Sequence, residues 1–577
     1  MITKRLAVTV LAAAMLPLAA ATPVHAASSP PTTRIYLSSR DPAGLAAYAA
    51  AVSQPNNPNY HHYLTPPQFQ RRFGPTPPQV AAVKSWLTTA GFHITTTTQH
   101  YIAITTTKPI DVPASLTPDI LTVTTPPTTS RPDPTPINVG TCSAYYGQKT
   151  ATSSPPAYGQ TPNYDVCGYT PGQLRSAYGV AGSGLTGRGV TVAVVLAAAS
   201  PTITQDSNTY FAHHGLPTWR PNQFSQNLPA DIGTACPSQP SYGEESLDVE
   251  AVHTMAPDAN LVYVGADCTN LGDDLLDAET RVVDHHLADI VSNSWHLADI
   301  ENQIPDSLIA AYQQIFQQGA VEGIGFYFAS GDHGDWTHST PSYPASVDYP
   351  ASDPWVTAVG GTTLAIGQHA NYEWETSWGD DLAPLSADGK TWIDPPGTFQ
   401  FGGGGGPSAK FAQPFYQRGI VPDALSHPNA AAKAARVLPD IAADADLATG
   451  MLIGRTATLT PDGSAQYGEE RAYGTSEATP LIAGIQADAQ QAAHGIPIGF
   501  ANPAVYARYN TGAYHDITDP SSPIAVVDQE RDTTTGAITT GLGTLARDPD
   551  LTAAPGYDDA TGVGTPTQRY LDSYAAP

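Results

Sequence analysis

The stretch "YGTSEATP", residues 473–480, decides how this chain is read. A Gly-Thr-Ser turn runs there into Ala/Leu/Ile/Gly-rich sequence, with Pro480 four residues after Ser476. The pattern places Ser476 at a helix start as a candidate nucleophile. A serine hydroxyl needs a base to take its proton, and the commonest base is histidine. No histidine motif of that kind occurs in the chain, so another group must activate Ser476.

Carboxylates supply the alternative. In "GEESLDVEAVHTM", residues 243–255, a helix advancing roughly 100° per residue puts Glu244, Leu247, Asp248, Ala251 and Met255 on one stripe. Glu245, Glu250 and His253 point elsewhere. Two acids four residues apart thus sit on the side expected to face the core. Close carboxylates in a partly dry site share protons, and their pKa values separate. One can act as a base toward a hydroxyl while the other orients it, which implies work at acidic pH. A third acid, Asp332, follows the apolar run of "FYFASGDHG". When protonated, it can donate to a developing oxyanion.

At 577 residues the chain is too long for one ordinary domain, and 41% hydrophobic residues provide ample core. Its 25 basic and 52 acidic residues give a net charge of −27, which argues against nucleic acid or an anionic membrane as partner. Residues 1–26 read as a secretory signal: Lys4 and Arg5, an apolar run over 6–21, and a Val24-His25-Ala26 cleavage site. No later run reaches the roughly 18 apolar residues of a membrane span. Secretion makes disulfides the expected state of the four cysteines, and short loops favour Cys142–Cys167 and Cys236–Cys268.

Residues 30–107 read as a small α+β module. "RIYLSS" and "YIAITTT" alternate like strands, and "PTPPQVAAVKSWLTTAG" carries helix punctuation in Thr76, Pro77 and Gly91. Residues 108–165 are rich in Pro, Thr, Ser and Tyr and read as an extended linker holding a processing site. From 166 to 577, nearly continuous apolar runs such as "VTVAVVLA", "NLVYVGA" and "WVTAVGG" point to a parallel sheet buried on both faces.

Taken in order, "EESLDVE", "SGDHG" and "YGTSEATP" resemble the sedolisin family of serine-carboxyl peptidases. The propeptide-like "NYHHYLTPPQFQRRFG" and the segments "SNSW", "YPASDPWVTAVGGTTL" and "LPDIAADADLATG" extend the likeness over nearly the whole chain. It implies an α/β fold: a subtilisin-like parallel sheet flanked by helices, preceded by a small α+β activation propeptide. By the same resemblance Glu244 is the general base, Asp248 its orienter, Asp332 the oxyanion donor and Ser476 the nucleophile. The expected protein is a secreted, acid-active endopeptidase made as a zymogen. It takes protein or peptide substrates and is held in check by its own propeptide. A tripeptidyl exopeptidase and an inactive binding protein on the same fold are the alternatives.

The resemblance also implies one structural Ca²⁺ near the C-terminus. Asp516 and Asp558 would supply carboxylates, and Ile517, Ala554 and Gly556 carbonyl oxygens. Three departures from the family pattern stand out. Tyr473 precedes Gly-Thr-Ser where a small residue is usual, and His296 follows "SNSW" where Gly is usual. The "VAVVLAAAS" strand lacks an acid that many members carry.

Overall fold

The computed structural model describes residues 32–575, except 107, 125–139, 231, 233–235, 237–241, 269, 429–430, 459–464 and 532–536. The expected signal segment, 1–26, lies outside the described residues. Among those described, no helix is long and apolar enough to cross a membrane.

The C-terminal region, the expected catalytic region, is built on an eight-stranded sheet. Strands Phe224–Asn227, Asn260–Ala266, Thr191–Ala197, Ile290–Asn293, Gly325–Ala329 and Thr357–Ile366 lie side by side in that order, all parallel. Ile441–Asp444 also pairs parallel with Thr357–Ile366, and Tyr372–Ser377 closes that end antiparallel. The apolar runs fall in this sheet because only a strand covered on both faces buries successive side chains, as Val192 to Leu196 are buried. Helices Tyr242–Met255 and Thr475–Ala492 pack together on one face, and helices Leu271–His285 and Asp306–Glu322 pack together on the other.

The N-terminal module is a four-stranded antiparallel sheet in the order Ile94–Thr97, Tyr101–Thr105, Thr32–Leu37, Ile120–Thr124. Its helix Pro77–Thr89 starts as the sequence implies. Thr76 Oγ1 accepts from the Gln79 N–H, and Gln79 returns a carbonyl oxygen to the Thr76 N–H at 2.7 Å. One sheet face (Ile35, Leu37, Ile102, Ile104) buries Val83 and Leu87 of that helix. The other face (Tyr36, Tyr101, Ala103) joins the core of the catalytic region.

The seam between them is charged. Arg34 donates to Asp277 Oδ2 at 2.7 Å and lies 3.6 Å from Asp274 and 3.7 Å from Asp273, all on helix Leu271–His285. Thr124 Oγ1 donates to Asp273 at 3.1 Å, and His100 Nε2 meets Asp284 at 2.7 Å.

The expected 108–165 linker is corrected at both ends. Ile120–Thr124 is an edge strand of the module, and a register shift lets Ile120 and Val123 both cover the module's core. After residue 139 the chain already belongs to the catalytic region. Cys142 is bonded to Cys167, Tyr146 N–H donates to Ile366, and Asn163–Tyr164 pairs with Val526–Val527. What remains between, 125–139, lies outside the described residues. Both favoured disulfides form, with Cα–Cα separations of 5.0 and 5.1 Å.

Candidate active site

Ser476 is the second residue of helix Thr475–Ala492. Gly474, which caps that helix, has φ +106°, and a Cβ there would lie 2.8 Å from Asp332 Oδ2. Both facts demand glycine. Asp332 Oδ1 accepts from the Thr475 N–H at 2.7 Å and the Thr475 hydroxyl at 2.8 Å, and Gly402 N–H donates to the Asp332 carbonyl at 3.0 Å. The strand end that carries Asp332 is thereby fastened to the turn that carries Ser476.

Pro480 explains itself in the same turn. Lacking an N–H, it leaves the carbonyl of Ser476, four residues earlier, without its helical donor. The Ser294 hydroxyl lies 3.2 Å from that carbonyl and donates to Asp248 Oδ1 at 2.8 Å. Ser294, from "SNSW", thus stands between the nucleophile's backbone and the buried acid. The segment "SNSW" carried the resemblance, but no role was read for Ser294, although its place just after a buried strand (Ile290–Asn293) was a signal.

The acid helix Tyr242–Met255 departs from the expected stripe. Every residue but Tyr242 and Glu244 is buried, Glu245, Glu250 and His253 included. Its apolar pattern is weak because it has no water face. It packs against the nucleophile helix on one side and against helix Ile203–His213 and strand Leu452–Thr458 on the other. Glu244, one turn before Asp248, is half-buried, whereas Asp248 is fully buried. Burial pushes the Asp248 carboxyl well above the usual carboxylate range, and the neighbouring charge of Glu244 adds to the effect. Glu245 accepts from the Ser200 N–H, and burial raises its pKa to about 8. It stands beside the end of the strand that lacks the family's acid.

Further buried acids surround the nucleophile helix, and the sequence reading missed them. Glu477 accepts from the Met451 N–H at 3.0 Å, Asp446 from the Ala448 N–H at 2.7 Å, and Asp444 from the Thr449 hydroxyl at 2.8 Å. Burial raises all three, and neighbouring acids raise Glu477 and Asp444 further. The signal was an acid beside the nucleophile and two more in "IAADAD", a strand with no room for water.

The residues assigned to calcium also meet. Asp516 accepts from the Gly556 N–H at 2.9 Å, and Asp558 from the N–H groups of Ala554 (3.2 Å), Ala560 (3.0 Å) and Thr561 (2.7 Å). Gly556 has φ +93°, whereas Ala554 is not among the positive-φ residues, so alanine is tolerated there. Among the described residues no cluster of three or more His, Cys, Asp or Glu could hold a metal. The two carboxylates thus accept from backbone N–H groups of one turn, and carboxylate and backbone oxygens are the ligands a hard cation takes.

Known proteins resemble the chain in the same terms. Residues 22–111 match the family model of the Pro-kumamolisin activation domain, and residues 233–513 match that of the subtilase family. The chain is 30% identical to kumamolisin of Bacillus sp. (strain MN-32) over 69% of its own length and 62% of that protein's. It is 28% identical to xanthomonalisin of Xanthomonas sp. (strain T-22) over 95% of its own length and 66% of that protein's. The aligned region thus spans a little under two thirds of each relative. Pseudomonas sedolisin, a serine-carboxyl proteinase solved with two molecules of pseudo-iodotyrostatin, matches with a TM-score of 0.52 and 25% identity. The match covers 70% of this chain and 97% of that structure.

Proposed function

Because this chain belongs to the sedolisin family, we propose that it is an acid-active serine-carboxyl endopeptidase, exported and made as a zymogen. The observation that carries the reading is the line from buried Asp248 through Ser294 to the backbone of Ser476, with Asp332 fastened to the same turn. Glu244 takes the proton of Ser476 as its oxygen attacks the scissile carbonyl, and Asp248 orients Glu244. Protonated Asp332 and the Ser476 N–H hold the oxyanion, aided by the helix N-terminus. Glu244 then protonates the leaving amine, and water releases the acyl group.

The N-terminal module serves as propeptide. The disulfide at Cys142 and the module strand ending at Thr124 leave 125–139 for the processing cut, which N-terminal sequencing of the mature product locates. Asp516, Ile517, Ala554, Gly556 and Asp558 would hold one Ca²⁺, which neutralises the two carboxylates and locks the C-terminal turn.

Casein digestion from pH 2 to 8, with Ser476→Ala as control, tests the assignment. Activity should peak well below neutrality and vanish in the variant. A mature enzyme dead at pH 4 and active at pH 8 contradicts it. On a long peptide, release of successive three-residue pieces only would replace the endopeptidase reading by a tripeptidyl one.

A further inference from the structure

A cavity of about 300 Å³ opens beside the nucleophile turn, and no step above uses it. Its walls are apolar: Leu382, Phe401, Leu447, Tyr473, Val526 and Leu545. Four carboxylates share it: Asp380, Asp381, Asp528 and Glu530.

Two links tie it to the catalytic centre. Tyr473, three residues before Ser476, packs on Phe401 with ring centroids 5.5 Å apart. Phe401 in turn precedes Gly402, whose N–H donates to the Asp332 carbonyl. The cavity exists because of a sequence choice. Val526, Asp528 and Glu530 alternate along one strand and so project from the same sheet face. The residue opposite Val526 is Gly543, where a Cβ would come within 3.3 Å of Val526 Cγ2. A larger residue there would fill the space.

An occupant must match an apolar lining that also carries acid. A long aliphatic stem with a cationic head does so, burying its methylenes while its N–H groups reach carboxylate. We propose that this cavity is a subsite for an arginine or lysine side chain of the peptide substrate, close to the scissile bond. The proposal rests on the peptidase reading and adds a substrate class to it. It also gives Tyr473 a purpose, as the wall between this subsite and the nucleophile.

The charged groups facing these acids are Arg471, 3.0 Å from Asp528, Arg547, 3.8 Å from Asp381, His338 near Asp381, and Asp446 beside Asp380. Burial raises the Asp381 and Glu530 carboxyls, so they discharge at a higher pH than free acids. The preference for a cation should therefore weaken as pH falls, and should do so at a higher pH than ordinary carboxylates would give.

Two experiments decide the matter. In the first, the activated enzyme digests a mixed peptide library at pH 5.5 and pH 3. Arg and Lys should be enriched at one fixed position near the cut, about tenfold over leucine at pH 5.5 and less at pH 3. Glu530→Gln should at least halve that enrichment. A flat profile, or enrichment of Phe and Leu instead, overturns the proposal. In the second, Ser476→Ala binds labelled octapeptides carrying a single Arg or norleucine at each position in turn. Arg should tighten binding at one position, and adding Glu530→Gln should erase the gain; equal binding throughout overturns the proposal. Should the library go uncut, the catalytic reading fails, while the binding series still judges the subsite.

Discussion

The seam and the surroundings of the nucleophile helix use the same residues in opposite ways. At the seam, Asp273, Asp274 and Asp277 face a guanidinium, and His100 faces Asp284. Around the nucleophile helix, Asp248, Asp444, Asp446 and Glu477 face hydroxyls, backbone N–H groups and one another. A carboxyl attracted to a cation loses that attraction when protonated. A buried carboxyl crowded by other acids is relieved by protonation. Acid therefore relaxes the body, whereas at the seam it trades an ion pair against the cost of a buried charge. Asp277 shows the balance at the seam: burial lifts its pKa to about 6 although Arg34 pulls it down, so burial outweighs the pairing and protonation of Asp277 does not by itself drive the module off.

The largest expected effect lies in the body. Burial raises Glu245 and Asp488 to about 8, and Glu375 and Asp353 to about 7. Between the ordinary carboxylate pKa near 4 and those values, the native protein holds more protons than the unfolded chain. Stability is then full below about pH 4 and declines as pH rises toward 8. The melting temperature of the Ser476→Ala protein, which cannot digest itself, should fall by many degrees from pH 4 to pH 8. A melting temperature that rises over that range would break the contrast.

Arg34→Ala comes next. It strands two buried acids, Asp273 and Asp274, and the half-buried Asp277, at a cost of about 3–5 kcal/mol at the seam. The module should be held more weakly near neutral pH in this variant, read as the fraction of processed protein that elutes without its propeptide at pH 7; an unchanged fraction removes Arg34 from the joint.

Glu245→Gln keeps an acceptor for the Ser200 N–H and removes one titrating group. It should flatten part of the pH slope of melting, and an unaltered slope would mean that Glu245 does not contribute to it. Smallest is Asp516→Ala. It should erase any rise in melting temperature that Ca²⁺ confers on the parent, a shift of a few degrees. A Ca²⁺ effect that survives the variant places the ion elsewhere.

Much of this was legible in the sequence. The parallel strands announced themselves because burial on both faces leaves an uninterrupted apolar run. Ser476, Asp332 and Asp248 were found through short motifs, and the fold brings Asp248 and Asp332 to the Ser476 turn. What failed was direction. Periodicity assigns a face only to a helix with a water side, and Tyr242–Met255 has none. Composition misjudged 108–165 because Pro and Thr do not exclude an edge strand or a cross-linked loop. The cavity beside Tyr473 draws its walls from residues spread over 380–545, which no local pattern connects.

A peptidase is its own nearest substrate. Cleavage anywhere in 125–139 creates a new N-terminus a short distance before Cys142, and chain ends fray and invite trimming. Cys142–Cys167 limits how far that end can peel away from the body. On the proposed reading the bond would therefore also act after maturation, protecting the enzyme from autolysis in the acid where it would work.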